Sequence, residues 1–248
     1  MSIASSPSRM PGAISGYDAR WEQHNSERQT LILQAAVALL EESPAGTDVP
    51  VHLIAKRAGL AKSVVYRQFS GREELERRIR SYLVDDFARV LDAELDVSSG
   101  SIREILTRTI RAVADWMSDH PRLVEFARTG PTHTADPGID AVSSLKLRMS
   151  ETAQELIASI GRIIGADPAP FASVPFAVVT MVEGVLATWI RDPRPSRSRA
   201  EIVADLAAFA WYVLDGAARS IGLAVDPDDE LTAVIAGFAD AGPSAVGL

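Results

Sequence analysis

Lys62, Ser63, Tyr66 and Arg67 follow one another at steps of one, three and one residues, a spacing that gathers all four on one side of a helix. Two cations and two hydroxyls with no carboxylate among them suit hydrogen bonding to base edges and phosphate oxygens. Lys62 and Ser63 are expected at the helix start, where side chains reach base edges. Tyr66, one turn on, is suited to give its hydroxyl to a phosphate, and Arg67 to either partner. Arg72 is expected to reach nucleic-acid backbone oxygens beside the open amides at the start of its own helix. His52 reads either as a phosphate contact or as a surface residue, and Gly59 as structural. The rival reading of the set is an ordinary solvated helix face.

These side chains need a helix pair to hold them. Val51, Ile54, Ala55 and Ala58 stand at helical spacing and face inward. Gly59 is expected to end that helix in a left-handed turn, where a residue without Cβ is at little cost. Leu60 then plugs the angle, and Ala61-Lys62-Ser63 opens the second helix. That helix keeps Val64 or Val65, and Phe69, for the core and shows Gln68 outward with the four polar residues. A short pair with a glycine turn and a basic second helix suits insertion into a major groove. A preceding helix is expected from Ser26 to Glu42, with Leu31, Ala35, Val37 or Ala38, and Leu39 as its apolar face.

The runs Ile54-Ala55, Ala58-Gly59-Leu60, Tyr66-Arg67-Gln68-Phe69 and Arg72-Glu73-Glu74-Leu75 resemble the N-terminal signature of the tetracycline-repressor (TetR) family. Arg28 followed by Ile32-Leu33-Gln34-Ala35-Ala36 resembles that family's first helix. The resemblance spans Asn25 to Leu75 and implies an all-helical homodimeric repressor whose C-terminal domain binds a small effector. The chain departs from the pattern at three places. Pro50 stands where a threonine often caps the helix and touches a phosphate; Gln68 replaces a frequent histidine; Ser43-Pro44-Ala45-Gly46 replaces a glycine after the first helix.

A chain of 248 residues suits one small and one larger helical domain. The expected division is an arm at 1–24, disordered by its Ser, Pro and Gly content, a helix-turn-helix domain at 25–75, and a helical ligand-binding and dimerisation domain at 76–248. The arm has no apolar core long enough for a secretory signal, so a cytoplasmic location is the default. The absence of cysteine excludes disulfides and thiolate metal sites. Net charge is −8, which argues against a nucleic-acid partner until its distribution is considered. From Asn25 to Arg80 there are nine Lys or Arg against seven Asp or Glu, and from Ser81 onward 14 against 24. Attraction to DNA is local, screened over roughly 10 Å at ordinary salt, so a mildly basic head works on an acidic body.

Beyond the head, stripes at helical spacing predict an all-α body. A helix is expected from Arg72 through Leu91, a second opening on a Ser101–Glu104 capping box, and a short one from Pro121 through Phe126. After a loop at Thr129–Pro137, helices are expected at Ile139–Ile164, Pro170–Ile190 and Arg199–Ala218, with a last one near Pro227. Phe171–Ile190 is long and apolar enough for a membrane span, but its Glu183, Pro175, Ser173 and two threonines favour a helix buried on both sides. One side would cover the core and the other meet its copy in a two-fold four-helix interface. Val182, Val185, Leu186, Trp189, Phe209, Ala210 and Val213 are the interface candidates.

The resemblance also implies an effector pocket, for which Trp116, Met117, Phe126, Met149, Phe176 and Met181 are candidates. Few charges interrupt the stripes, which favours an apolar or amphipathic ligand. Glu183 is either a polar anchor or an interfacial or solvated carboxylate. Catalysis finds little support: the four histidines lack ligand spacing, no phosphate-cradling glycine loop is present, and Gly161–Gly165 reads as a helix end. No cofactor or metal is expected. The expectation is a homodimeric regulator, released from a palindromic DNA operator by a small effector. The alternative is a helical ligand-binding or enzymatic protein that keeps a helix-turn-helix as scaffold.

Overall fold

In the computed structural model, which describes residues 16–44, 47–133 and 139–241, the regular elements are α-helices and one 3-10 turn. The chain divides into two units, Met1–Leu75 and Glu76–Leu248.

The first unit holds α1 (Gly16–Glu42), α2 (Val51–Arg57), α3 (Lys62–Gln68) and the first turn of α4 (Arg72–Glu94). Helix α1 starts ten residues before the expected Ser26, because the proline and glycine that signalled an arm end at Gly16 and YDARWEQH holds neither. The rest of the expected arm lies outside the described residues. The apolar face of α1 is also rotated from expectation. Ile32, Ala36 and Leu40, spaced by four, are buried, whereas Leu31 is 49% exposed. Leu31 sits about 100° around the helix from Ile32, so one neighbouring residue cannot share the seam.

These residues close a small core with Ala35, Ile54, Ala55, Val65, Phe69 and Leu75. Val65, not Val64, is therefore the inward valine of α3. The α2–α3 turn is fixed by its backbone. Gly59 has φ +67°; its N–H donates to the Lys56 carbonyl at 3.2 Å, and the Leu60 N–H to the Ala55 carbonyl at 2.9 Å. This pair of bonds satisfies the last carbonyls of α2 and sets the direction of α3.

The second unit contains the rest of α4, then α5 (Ile102–Asp119), α6 (Pro121–Arg128), α7 (Ala141–Ile164), a 3-10 turn at Ala169–Phe171, α8 (Val174–Arg191), α9 (Arg199–Ser220) and α10 (Leu231–Ala241). The predicted capping box at Ser101 and Glu104 is formed in full, and Ser198 with Glu201 repeats it at the start of α9. Gly165, at φ +70°, ends α7 and receives no ligand role. Helix α10 begins later than Pro227 because the residues before it are occupied in a turn. Asp226 Oδ1 accepts from the Asp228 N–H, and Glu230 Oε1 from the Gly100 N–H at 2.6 Å.

Three apolar clusters organise the described residues of this unit, the smallest joining Ile164 of α7 to Ala218 of α9 and Leu223. Ile110, Ala114 and Met117 of α5 pack with Val182, Leu186 and Ala187 of α8 and with Val203, Leu206 and Ala210 of α9. Phe87, Ala88 and Leu91 of α4 pack with Met149 of α7, and the Phe87 ring stacks on Trp116 at 4.3 Å between centroids. Within the predicted stripe of α7, Ile163 is 57% exposed, and Gly161 and Ile164 face inward instead. Ala169–Arg191 has the length and composition of a membrane span, yet Val182, Leu186 and Ala187 on it belong to the helical core.

Arg80 of α4 pins the end of α6. It is 5% exposed, lies over the Phe126 ring at 4.5 Å, and donates to the Phe126 carbonyl and the Thr129 hydroxyl. Burial lowers its pKa, partly offset by Glu76. The Ser81 hydroxyl accepts from the His133 N–H at 2.8 Å, so one stretch of α4 holds the start of the α6–α7 connection.

Gly59→Ala should destabilise the chain by about 1 kcal/mol, since only the left-handed backbone is strained there. Gly237→Ala, in open space on α10, should instead stabilise by up to about 1 kcal/mol; urea unfolding of both variants checks the opposite signs. Asp140 caps α7 by accepting from the Ser143 N–H at 3.0 Å. Burial alone would raise its pKa, but bonds from Ser143 and Val142 leave it below the ordinary value. The depressed value means that its stabilisation is present above the unfolded carboxylate range and is lost as pH falls through the folded pKa. Asp140→Ala should therefore cost about 1 kcal/mol at neutral pH, and urea melts of the two proteins should converge as pH falls through the folded pKa of Asp140.

Candidate nucleic-acid interface and internal cavity

Helix α3 presents its polar residues as the spacing requires. Taking about 100° per residue, Lys62, Tyr66, Ser63 and Arg67 cover roughly 140° of arc, and all four are exposed. Val65 and the C-capping Phe69, 1% and 4% exposed, anchor the opposite side. Lys62 Nζ lies 5.6 Å from the centre of the Tyr66 ring, which holds the two outward groups as neighbours. Gln68 is half-buried and bonds to Gln29 of α1 at 3.3 Å. It braces the helix and is not outward-facing as expected.

Around α3 the charges are partly spent. Arg57 makes a two-pronged pair with Glu42 at 2.7 and 2.6 Å, and this hydrogen bonding lowers the Glu42 pKa and raises that of Arg57. Arg72 pairs with Asp48 at 2.8 Å in an exposed bridge. Exposed pairs of this kind contribute at most about 1 kcal/mol, so a phosphate oxygen can replace the carboxylate. His52 is exposed on α2. Pro50 precedes α2 with φ −67° and offers no side-chain cap.

The second unit encloses a cavity of about 330 Å³ bounded by α4 to α8, with Leu214 and Leu231 completing it. Its wall is carbon almost throughout: Phe87, Leu91, Ile105, Val113 and Val178 contribute, as do Trp116, Met117 and Met149 from the six expected residues. The other three stand elsewhere. Phe126 lies beneath Arg80, Phe176 is 46% exposed, and Met181 packs on the α5–α8–α9 cluster. Each belongs to an apolar stripe, and only the packing angle decides which side of a stripe meets a void.

The one charged place in this wall joins three helices. Arg128 ends α6, Lys146 lies near the start of α7, and Glu183 lies mid-α8; all three line the cavity. Glu183 pairs with Arg128 through Nη2 and with Lys146 at 3.5 Å. The carboxylate was legible as an anomaly in an apolar run. Its two partners carried no signal, since bases near helix ends are ordinary on a surface. Among the described residues, no group of three or more His, Cys, Asp or Glu could hold a metal ion.

The candidate interface residues divide in two. Val182, Leu186 and Ala210 lie in the chain's own core at 6%, 0% and 0% exposure, so they cannot meet a second copy as expected. Val185 packs partly against the same core, and the Trp189 indole donates to the Arg197 carbonyl at 2.8 Å. Phe209 and Val213 are exposed, together with Tyr212 on α9 and Phe176 on α8.

Residues 32–79 match the family model described as bacterial regulatory proteins, tetR family. The fold resembles a tetR-family transcriptional regulator from Streptomyces coelicolor (TM-score 0.60, 19% identity, covering 88% of this chain and 93% of that one). It also resembles a TetR-like transcriptional regulator from Rhodococcus sp. RHA1 (TM-score 0.52, 21% identity, covering 76% and 96%). A comparison with curated protein sequences gives no match. At these identities the solved structures speak for the fold alone. The segment 32–79, with its helix pair, is similar to the N-terminal domain of the tetR family of bacterial regulatory proteins.

Proposed function

We propose that this protein is a cytoplasmic, homodimeric transcriptional repressor that reads a palindromic DNA operator with α3 and leaves it when a small ligand fills the cavity. The single observation that carries the DNA reading is the outward face of α3. Lys62, Ser63, Tyr66 and Arg67 are exposed together, while Val65 and Phe69 fix the helix from behind. Lys62 and Ser63 would meet base edges; Tyr66 and Arg72 would meet phosphates, with Arg67 serving either; His52 lies on the adjoining helix. A two-fold dimer would present two such helices with centres about 34–36 Å apart, or a multiple of that spacing.

The dimer reading is supported by the outer faces of α8 and α9. Phe209, Tyr212 and Val213 stand exposed on α9 and Phe176 on α8, and Gly184 on α8 and Gly216 on α9 have open space where a Cβ would be. Small residues beside large apolar ones let two helix pairs approach closely. The ligand reading is supported by a preformed apolar cavity of the size that small molecules occupy. Helix α4 supplies Leu83, Val84, Phe87 and Leu91 to its wall and carries Arg72 in its first turn. A ligand that favours a displaced α4 would disfavour operator binding, and DNA would weaken the ligand by the same factor.

Anisotropy titrations on the DNA flanking the protein's own gene test the first claim. Arg67→Ala should weaken binding about tenfold or more and, if its partner is a phosphate, reduce the slope of log affinity against log salt by about one. Tyr66→Phe should cost several-fold. Unchanged affinity in both variants would remove α3 as the reading helix. Sedimentation tests the second claim: Phe209→Glu with Tyr212→Glu should give a folded monomer, whereas a persisting dimer would move the interface elsewhere.

A further inference from the structure

The charged place in the cavity wall identifies the kind of ligand, provided that the cavity is the effector site just proposed. One carboxylate, Glu183, sits between two cations, Arg128 and Lys146, so the group carries a net single positive charge. Its side chains are 18%, 33% and 20% exposed respectively, and the remaining cavity wall is apolar except for Thr109, whose hydroxyl donates to the Glu94 carbonyl at 3.3 Å. Filling the cavity with a hydrocarbon chain removes water from these charges. A surplus charge left without a counterion in an apolar site is costly. A neutral ligand would leave the surplus as it is, and a cationic one would double it. A monoanion cancels it.

The donors are also available to a second acceptor. Lys146 Nζ is 3.5 Å from Glu183, long beside the roughly 2.7–2.9 Å of a charge-assisted hydrogen bond, and an ammonium has three donors. Arg128 engages Glu183 through Nη2, and a guanidinium has five N–H donors in a planar fork suited to carboxylates. We propose that the occupant is an amphipathic monoanion, an apolar chain ending in one carboxylate, whose head group sits between Arg128 and Lys146. Its chain lies along Phe87, Leu91, Val113 and Met149. Glu183 then acts as an internal competitor: it neutralises part of the cationic charge in the empty cavity and sets how strongly an anion must bind to enter.

Calorimetric titration of the full chain with decanoate, decanol and decylammonium at neutral pH separates head-group charge from tail. Decanoate should bind at least about tenfold more tightly than decanol, the scale of one charge-assisted hydrogen bond, and decylammonium most weakly. Lys146→Met should bring decanoate down towards decanol. Glu183→Gln should tighten decanoate several-fold, a gain that a damaged fold cannot produce. Decanol or decylammonium binding as tightly as decanoate, or decanoate weakened by Glu183→Gln, would overturn the assignment of the head group and leave the effector cavity standing. Binding of none of the three would remove the cavity reading along with it.

Discussion

Helix α4 contributes apolar side chains to two separate cores, one in each unit. Leu75, in its first turns, is 3% exposed and belongs to the small unit. Ile79, Leu83, Phe87 and Leu91 are buried to a similar degree in the larger one. Twenty-three residues run from Arg72 to Glu94 without a cap or kink residue between them, a length of about 34 Å. The same helix places Arg72 beside the helix pair, offers Phe87 to the cavity, and grips the end of α6 through Arg80.

The cavity is held open by the same packing. Phe87 stacked on Trp116 forms a stiff piece of wall between α4 and α5, and Met149 adds a side chain that adapts to irregular space. A ligand that fits this cavity would add dispersion contacts to its wall and, by binding the folded state alone, would stabilise the chain. The ion triad of Arg128, Glu183 and Lys146 ties α6, α7 and α8 together across the opening that the apolar side chains leave.

Local signals in the sequence proved the most readable. Gly59 ending α2, Gly165 ending α7, and the Ser101–Glu104 box all act between residues a few positions apart, so the chain states them without reference to the rest of the fold. The outward face of α3 was legible for Lys62, Ser63, Tyr66 and Arg67, but not for Gln68, which bonds to Gln29 of α1. Direction around an all-apolar helix was not. Along α8 and the middle of α9 most side chains are apolar, and nothing in the order of residues tells Leu186, fully buried, from Phe176, half exposed. The same ambiguity moved Phe126 and Met181 off the cavity wall. Arg128 and Lys146 were unreadable for a different reason: 18 residues apart in sequence from each other and far from Glu183, they meet only through tertiary packing.

In the proposed function, two symmetry-related copies of α3 enter major grooves of one duplex. Hydroxyl-radical footprinting on the DNA flanking the protein's own gene measures this directly. It should show two protected patches related by a two-fold axis, centred about one helical turn or a whole multiple of it apart, and both should fade together as salt rises. Absence of protection at any salt concentration, or a lone patch without a symmetry mate, would contradict it.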